Sequence, residues 1–548
     1  MTDAEIISKL NSRLEALRTE RSSWFSHWNE LASFILPRRY EWLVTPNQAS
    51  RGAPLNSAIL DSTGTIAART CAAGMMSGIT SPSRPWFRLG IAGLSAEDLS
   101  ADASLWLDSV ERILYRVFSE SNFYQSIGIC YFDLTVFGTA SLLIYEDYEN
   151  VIRCENPALG EFFVGRARNT FYREFTLNTS QLVETFGLEA CPQEIRDAYK
   201  AGRAQLFNEY KVSHGIEPNN GLAPRNFPYQ EVYWLAAKQH ILRRRGFNER
   251  PAFTPRWDLT ANDAYGRSPA MDALGDIKQL QQEQRRKAQG IDKLVNPPMI
   301  ADIQLKNQPA SLLPGGVTYI AGLSQQPGAG FRPAYQINPP IQEMMLDIQQ
   351  IQQRIQSVFF NDLFMMISSL QTVRSATEVD ARREEKLIML GPVLERLNVE
   401  LLDPVVERVF GICRRAGIVP PPPPEIQGEE IEISYTSMLA QAQRATATSS
   451  IERVLQIAGN LVGVKPDVLD NIDTDVMIAE YAELLDTTPR MIRKKEDVMA
   501  MRQGRERAAQ QEAILQQTLG ASNAAKNLAQ ADLGGGQNAL QAMLGGLS

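Results

Sequence analysis

SPAMDALGDIKQLQQEQRRKAQGIDKLVNPP, residues 268–298, reads as one long helix whose two halves differ in character. Ser268 and Pro269 suit the first turn of a helix, and Asn296-Pro297-Pro298 ends it. The first half carries an apolar stripe at helical spacing, formed by Met271, Leu274, Ile277 and Leu280. The second half, Gln281–Gln289, is almost wholly polar. A helix half without an apolar face cannot be buried in its own core, so it must face water, a channel or a partner.

A second long helix is predicted after Pro340 and runs to about Met366. Its apolar residues step by 3, 4 and 3 positions between glutamines, as in a narrow, coiled-coil-like seam: Ile348, Ile351, Ile355 and Val358. The residues between the two helices, 296–340, are rich in proline and glycine and contain one clear strand, Val317–Ala321. The sequence therefore predicts two long helices that bracket a compact, irregular lobe.

Helices also dominate the N-terminal region. Thr2 and Glu5 have the spacing of a capping box, and Pro37 ends the helix that follows them. Small residues predominate over Thr63–Ile79, which favours a tightly packed core helix, with a seam between subunits as the alternative. A further amphipathic helix contains Leu107, Val110, Leu114 and Val117.

Short aromatic or β-branched runs, separated by turn residues, predict a small mixed β domain. The predicted strands are Leu134–Phe137, Ser141–Tyr145, Val151–Cys154, Phe162–Val164, Phe171–Phe175 and Glu231–Leu235. Helices are predicted within this domain at Ser180–Phe186 and Pro192–Phe207. The predicted fold class is therefore mixed, mostly α with a small β-rich domain.

The part of the chain after the second long helix opens with a polar break, Ser368–Arg374. Ser375 and Glu378 then form a capping box for a helix that continues to Ala416.

Five prolines, Pro420–Pro424, predict a stiff polyproline II spacer, and Glu430–Tyr435 alternates like a strand. Helices are predicted from about Ala440 onward. Beyond Ala513 the chain is a low-complexity tail, expected to fray or to become ordered only in an assembly.

The composition argues against several classes of protein. The chain has 548 residues and a formal net charge of -8, from 55 Lys and Arg against 63 Asp and Glu. So acidic a chain is not a conventional DNA-binding protein, because binding phosphates requires a basic surface, although it could handle DNA that must slide. The five cysteines are far apart and never form a C-x-x-C, so neither a disulfide framework nor a zinc site is expected. The sequence therefore predicts a protein of a reducing compartment.

The motifs of common enzymes do not occur in the sequence. It lacks the G-x-x-x-x-G-K-[ST] phosphate loop, the H-E-x-x-H metal motif and the G-x-S-x-G elbow. The three histidines, His27, His214 and His240, lie far apart and are predicted to be satisfied or exposed side chains. The sequence shows neither a signal peptide nor a run of about 18 apolar residues. A structural or assembly protein is predicted, with no enzyme activity, cofactor, metal site or membrane contact.

The order of several motifs resembles that of the head-to-tail connectors, or portal proteins, of short-tailed bacteriophages of the podovirus type. The resembling segments are Trp24–Trp28 with Leu36-Pro37-Arg38-Arg39, Ala72–Pro82 with Pro85-Trp86-Phe87, Tyr265–Leu274, Ala376–Val379 and Leu390–Leu397. The resemblance runs from the N-terminus to about Val498 and does not include the C-terminal tail. The ordered set, more than any one segment, carries it.

The resemblance implies a ring, usually a dodecamer, at one vertex of the phage head, with a central channel for double-stranded DNA. It also implies a wing, stem, clip and crown architecture. The implied segments are the wing over 1–265, the first stem helix over 266–295, the clip over 296–340, the second stem helix over 341–366, the tunnel loop over 367–376, a connecting helix and strand over 377–435, a helical crown over 436–512 and the tail over 513–548. The implied partners are further copies of the chain, DNA, terminase, tail adaptor proteins, and capsid and scaffolding proteins. The implied location is the virion, and the host cytoplasm during assembly.

Within that architecture, several cations are candidates for facing the channel and its DNA: Arg285, Arg286, Lys287, Arg354 and Arg374. The first three could equally form salt bridges between subunits or a solvated helix face. The candidate tunnel-loop residues are polar and uncharged: Ser368, Ser369, Gln371 and Thr372. An acidic ring would keep DNA from binding tightly, because tight binding depends on neutralising phosphates.

Two other classes of protein stay open at this point. A helical scaffold or adaptor would share the assembly character but lack a DNA channel, so a ring with a central hole would distinguish the two. An enzyme ranks third, because the sequence contains no phosphate loop. Turnover of ATP by the isolated chain would show that the protein is an enzyme.

Overall fold

The computed structural model describes residues 2–37, 59–94, 99–165, 169–223, 226–295, 299–300, 332–333, 340–369, 389–436, 456–457, 460, 474–478 and 495–530. The chain divides into two compact units. One comprises residues 1–92 and 100–446, and the other comprises residues 93–99 and 447–548.

The described helices of the first unit are α1 (Asp3–Ile35), α2 (Thr63–Gly78), α3 (Ala101–Glu120), α4 (Phe123–Phe137), α5 (Thr179–Phe186), α6 (Gln193–Ala201), α7 (Pro269–Val295), α8 (Ile341–Val358), α9 (Asn361–Ser369) and α10 (Asp403–Arg415). Helical residues 389–397 lead into α10 through a π-helical turn, Asn398–Leu402. In the second unit, α11 spans Lys495–Gln530.

The described strands form small antiparallel sheets. They are β1 (Phe87–Ile91), β2 (Leu142–Asp147), β3 (Val151–Glu155), β4 (Phe162–Val164), β5 (Phe171–Asn178), β6 (Glu209–Pro218), β7 (Tyr229–Leu235), β8 (His240–Phe247), β9 (Ala252–Phe253), β10 (Met299–Ile300), β11 (Arg332–Pro333) and β12 (Ile431–Tyr435). The largest sheet has the order β4-β5-β6-β7-β8, and a second has the order β3-β2-β9. The predicted class, mostly α with a β-rich part, is confirmed.

Helix α1 forms where the sequence predicted it and packs on the five-stranded sheet. The capping box between Thr2 and Glu5 is present, and the helix ends at Ile35, before Pro37. Its apolar face contacts the sheet through a buried cluster of Ile6, Ile7, Leu10 and Leu14 with Phe163, Tyr172, Val232 and Trp234. Ion pairs from Arg13 to Glu217 and from Arg18 to Glu174 fasten the same two elements.

Helix α2 is a core helix of this chain, as its small residues predicted. A Cβ atom added at Gly64 would lie 2.9 Å from a side-chain carbon of Ile277 on α7. A Cβ atom at Gly74 would lie 2.1 Å from Cγ of Phe364 on α9. The glycines therefore let two neighbouring helices approach α2 at close range.

The strand predicted over Leu134–Phe137 is wrong, because these residues form the last turn of α4. All four are buried, so the aromatic and β-branched run reflects burial of the helix end and does not indicate a strand. Gly138 ends the helix in the left-handed conformation at φ 74°, as helix-terminating glycines commonly do. The strand predicted at Ser141–Tyr145 corresponds to β2.

The sequence predicted β3, β4, β5, β7 and β12, whereas β6 and β8 and the shorter strands β1, β9, β10 and β11 were absent from the prediction. Three consecutive arginines, Arg243–Arg245, obscure the alternation of polar and apolar residues in β8. The strand forms because it pairs along β7 over Tyr229–Leu235. Pairing with a distant segment overrides a local signal that is weak.

The second long helix is interrupted, which corrects the prediction of one helix to about Met366. Helix α8 ends at Val358, and Phe360 has a φ of 56° before α9 begins at Asn361. Phe359 is fully buried at this break, so packing of the core outweighs the helical pattern of the sequence. The predicted strand Val317–Ala321 lies outside the described residues, as do most residues predicted as crown helices.

Helix α11 also differs from expectation. It runs to Gln530 and therefore crosses residue 513, beyond which the sequence composition predicted a tail that frays or becomes ordered only in an assembly. Residues 531–548 lie outside the described part of the chain.

The five cysteines of the chain, all in described segments, are buried and unpaired: Cys71, Cys130, Cys154, Cys191 and Cys413.

Candidate functional site

The two long helices, α7 and α8, pack side by side, as the sequence predicted. Their contact is apolar, with Ile277 and Leu280 of α7 fully buried. On α8 the seam residues Ile348, Ile351 and Ile355 are buried as well. Lys278 of α7 pairs with Glu30 of α1, so the helix pair is held to the body of the first unit at its α7 side.

A cluster of glutamine amides fastens the helix pair to the segment before α2. Oε1 of Gln281 accepts hydrogen bonds from the backbone N–H groups of Leu60, at 2.7 Å, and Asp61, at 2.9 Å. Nε2 of Gln281 donates to the Asp61 carbonyl at 2.8 Å. Nε2 of Gln284 on α7 and Nε2 of Gln352 on α8 each donate to Oδ2 of Asp61 at 2.8 Å. We call these four residues, Asp61, Gln281, Gln284 and Gln352, the glutamine clamp.

The pKa of Asp61 is lowered by this environment. Burial alone would raise it, but hydrogen bonds from Thr63, Gln284 and Gln352 to the carboxylate outweigh burial. Asp61 is therefore ionised at neutral pH, and one carboxylate oxygen bridges both helices.

The sequence did not reveal the clamp. The polar run Gln281–Gln289 predicted a surface facing water, a channel or a partner, yet Gln281 is only 5% exposed. Asp61 stands two residues before a helix that begins at Thr63, which is the spacing of an Asx turn and the only local signal. Its glutamine partners are more than 200 residues away in sequence, so no local pattern connects them.

Among the candidate cations, Arg354 already has an acidic partner. Its Nη2 lies 2.9 Å from Oδ1 of Asp276, so the pair bridges α8 and α7. Its pKa is raised by the hydrogen bond and charge of Asp276, and also by the charges of Asp347 and Glu283. The guanidinium therefore pairs with Asp276 in an acidic environment.

The three other cations on α7 do not converge on one point. Arg285 and Arg286 are exposed, and Lys287 is half-buried. At helical spacing these consecutive residues point about 100° apart. Within the part of the chain that the structure describes, none of the three forms an ion pair.

Of the candidate tunnel-loop residues, the structure describes two. Ser368 and Ser369 form the end of α9, which begins directly after the helix break at Phe359–Phe360. Gln371, Thr372 and Arg374 lie outside the described residues. Helix α9 packs against α2 where Phe364 meets Gly74, so the helix that leads into this region is held to the core.

The base of the lobe between α7 and α8 is a short ribbon. Strand β10 pairs antiparallel with β11, with Met299 opposite Pro333 and Ile300 opposite Arg332. The two ends of the segment 299–333 therefore lie side by side.

A second polar cluster, around His214, is buried in the five-stranded sheet. Nε2 of His214 lies 2.9 Å from Oε1 of Glu231, and Nε of Arg173 donates to its Nδ1 at 2.9 Å. Its ring stacks on Tyr233, and Arg245 pairs with Glu231. Burial lowers the pKa of His214 to about 4, outweighing the attraction of Glu231. His214 is a satisfied structural histidine, as predicted.

The described residues contain no group of three or more His, Cys, Asp or Glu side chains arranged to hold a metal ion. None of the described helices is long and apolar enough to cross a membrane.

Comparison with known proteins shows what this chain is similar to. Residues 8–492 match the family described as bacteriophage head to tail connecting protein. The chain is 41% identical over 533 residues to the "Probable portal protein" of Bordetella phage BPP-1, with 94% of each chain covered. It is 39% identical over 535 residues to the "Portal protein" of Salmonella phage epsilon15, with 95% of each chain covered.

Proposed function

Since the chain belongs to the family of bacteriophage head to tail connecting proteins, we propose that its copies form a ring at one vertex of the phage head, around a channel through which DNA is packaged, retained and released. The match over residues 8–492 carries this proposal. The two portal proteins that it resembles over nearly their whole length support it. The family is structural, and a non-enzymatic role also accords with the missing phosphate loop.

The helix pair α7 and α8 is the proposed stem, over residues 266–295 and 341–366, and the lobe over 296–340 is the proposed clip. The antiparallel pairing of β10 with β11 supports this, because it brings the two ends of the segment 299–333 side by side. The wing is assigned to 1–265, the tunnel loop to 367–376, the connecting segment to 377–435, the crown to 436–512 and the tail to 513–548.

The charge of the helix pair suits a channel through which DNA moves. One face of α8 is uncharged and exposed, at Gln342, Gln349, Gln353 and Gln356, whereas its carboxylates, Glu343 and Asp347, lie at other positions of the helix. Arg354, the cation of α8, is neutralised by Asp276. Glutamine amides can contact a phosphate backbone without displacing its counterions, so they add little binding that resists movement.

The proposed assembly is a dodecamer, a component of the virion that is built in the host cytoplasm. Its proposed partners are double-stranded DNA, terminase, tail adaptor proteins, and capsid and scaffolding proteins. Terminase would supply the energy of packaging, since the sequence of this chain contains no site for ATP of the phosphate-loop type.

Electron microscopy of the purified chain, together with its mass in solution, tests the proposal. We expect rings with a central hole that a DNA duplex can pass. A closed assembly without a hole would favour the scaffold or adaptor alternative, and a chain that stays monomeric at every salt concentration would overturn the ring.

A further inference from the structure

The outward face of α7 lacks a partner in the described part of the chain. Gln282, Arg286, Gln289 and Lys293 follow one another at steps of 4, 3 and 4 residues, so they share one face of the helix. All four side chains are exposed. Neither Arg286 nor Lys293 pairs with an acidic residue among the segments that the structure describes. We call this face the ridge.

Beside the ridge, the exposed side of the contact between α7 and α8 is acidic. Asp276 and Glu283 of α7 stand seven residues apart, and Glu343 and Asp347 of α8 stand four apart, so each pair shares one side of its helix. The ion pair between Arg354 of α8 and Asp276 of α7 shows that these sides meet. Asp347 stands seven residues before Arg354 and so shares its side of α8. We call this strip the groove.

The groove keeps an excess of negative charge. Arg354 offsets one carboxylate, and Lys287, four residues after Glu283 and half-buried, can offset a second. Four carboxylates then stand against two cations. Glu343 has no ion-pair partner among the described residues, and it is exposed. The ridge, by contrast, carries two cations and no acid.

We propose that the ridge of one copy docks into the groove of a neighbouring copy. This inference rests on the proposed ring and specifies the contact that closes it. The two surfaces differ and lie on different sides of the same helix pair, so the contact joins unlike surfaces of successive copies. Such contacts generate a ring when the rotation from copy to copy closes. Opposite charges at the two surfaces fix the order and register of the subunits.

DNA is the competing occupant of the ridge. Phosphates that approached Arg286 and Lys293 would also approach the carboxylates of the groove beside them, which repel phosphate. A second copy satisfies both surfaces at once, because its own ridge and groove are complementary to those of its neighbours.

Reversing the charges on one surface at a time tests the proposal. The ridge variant is Arg286→Glu with Lys293→Glu, and the groove variant is Glu343→Lys with Asp347→Lys. Each variant alone is expected to need at least about tenfold more protein to form rings, since like charges then face each other across every contact. A mixture of the two variants in equal amounts is expected to recover rings, because each then meets a complementary surface on the other.

The matched control is Lys9→Glu with Lys200→Glu, which reverses two exposed cations elsewhere and should assemble like the unmodified chain. The proposal is overturned if the ridge variant assembles normally. If those intact rings also retain less DNA than rings of the unmodified chain, the ridge contacts DNA instead. It is also overturned if the mixture does not recover. If the unmodified chain forms no rings, the proposed function fails as well.

Discussion

Gly74 of α2 lies so close to α9 that a Cβ atom there would be 2.1 Å from Cγ of Phe364. Gly74→Ala is therefore expected to lower the free energy of unfolding by about 1–3 kcal/mol, since the buried ring or the helix must shift. Denaturant unfolding of the variant measures this.

The control is Gly275→Ala on α7, where an added Cβ atom has no neighbour within 4 Å. There the substitution should raise stability by about 0.5–1 kcal/mol, because alanine favours the helix. Equal effects at the two glycines would contradict the close contact of α2 with α9.

The buried cluster around His214 predicts a loss of stability in acid. In the unfolded chain, His214 takes up a proton as the pH falls below its ordinary pKa of 6.5. In the folded chain it does so only near pH 4, because burial lowers its pKa to about 4. Stability is therefore lost as pH falls from 6.5 toward 4, by about 2 kcal/mol between pH 6.5 and 5. Glu231 adds to the loss at lower pH, because burial would raise its pKa but His214 and Arg245 hold it at about 2.

Hydrogen exchange of the β6 and β7 amides at pH 6.5 and 5 reports this change. His214→Gln keeps a hydrogen-bonding side chain that does not titrate, so its stability should vary much less over the same interval. A variant with an unchanged pH dependence would remove His214 from the effect.

At the scale of elements, the glutamine clamp joins α7, α8 and the start of α2. Oδ2 of Asp61 accepts hydrogen bonds from both Gln284 and Gln352. Asp61→Asn turns one carboxylate oxygen into an NH2 group, which either faces these two donors or takes the place of the other oxygen, so that a hydrogen bond to that oxygen is lost. We expect a loss of about 1–3 kcal/mol and faster hydrogen exchange in α8. Gln353→Ala, at an exposed position of α8, serves as the control and should change neither measurement.

The sequence predicted elements well wherever the signal was local. The capping box at Thr2, the small residues of α2 and the seam of α8 all depend on neighbours within a few residues. It failed where distant contacts decide, as in β8, which forms through β7, and in the break at Phe360, which packing imposes.

The prediction of the candidate site was also correct for local features and failed for contacts between distant residues. Periodicity placed the polar half of α7 on the surface, but it could not show that Asp276 neutralises Arg354 or that Gln281 is buried against Asp61. Both partners are remote in sequence and are brought close only by the packing of the helix pair.

At the scale of the whole molecule, the lobe and the ring are expected to be separable. Replacing residues 303–329 by a short glycine-serine turn keeps the pairing of β10 with β11 and leaves both long helices intact. Rings should form at the usual protein concentration, because the ridge and the groove are unchanged. Packaging of DNA in infected cells should fail, because we expect the lobe, as the proposed clip, to contact terminase. Normal packaging would contradict the assignment of this lobe, and loss of rings would show that it also contributes to assembly.

The burial of all five cysteine thiols makes it simple to label the assembly at a chosen site. Maleimide dyes react with exposed thiolates, but burial raises the pKa of Cys71 to about 12 and that of Cys413 to about 11, and the other three cysteines are buried too. A cysteine introduced at exposed Gln353 would therefore take the dye far faster than any native one. When only some copies carry a dye at residue 353, energy transfer between dyes reports the distance between copies in the assembly. No native cysteine has to be removed for this measurement.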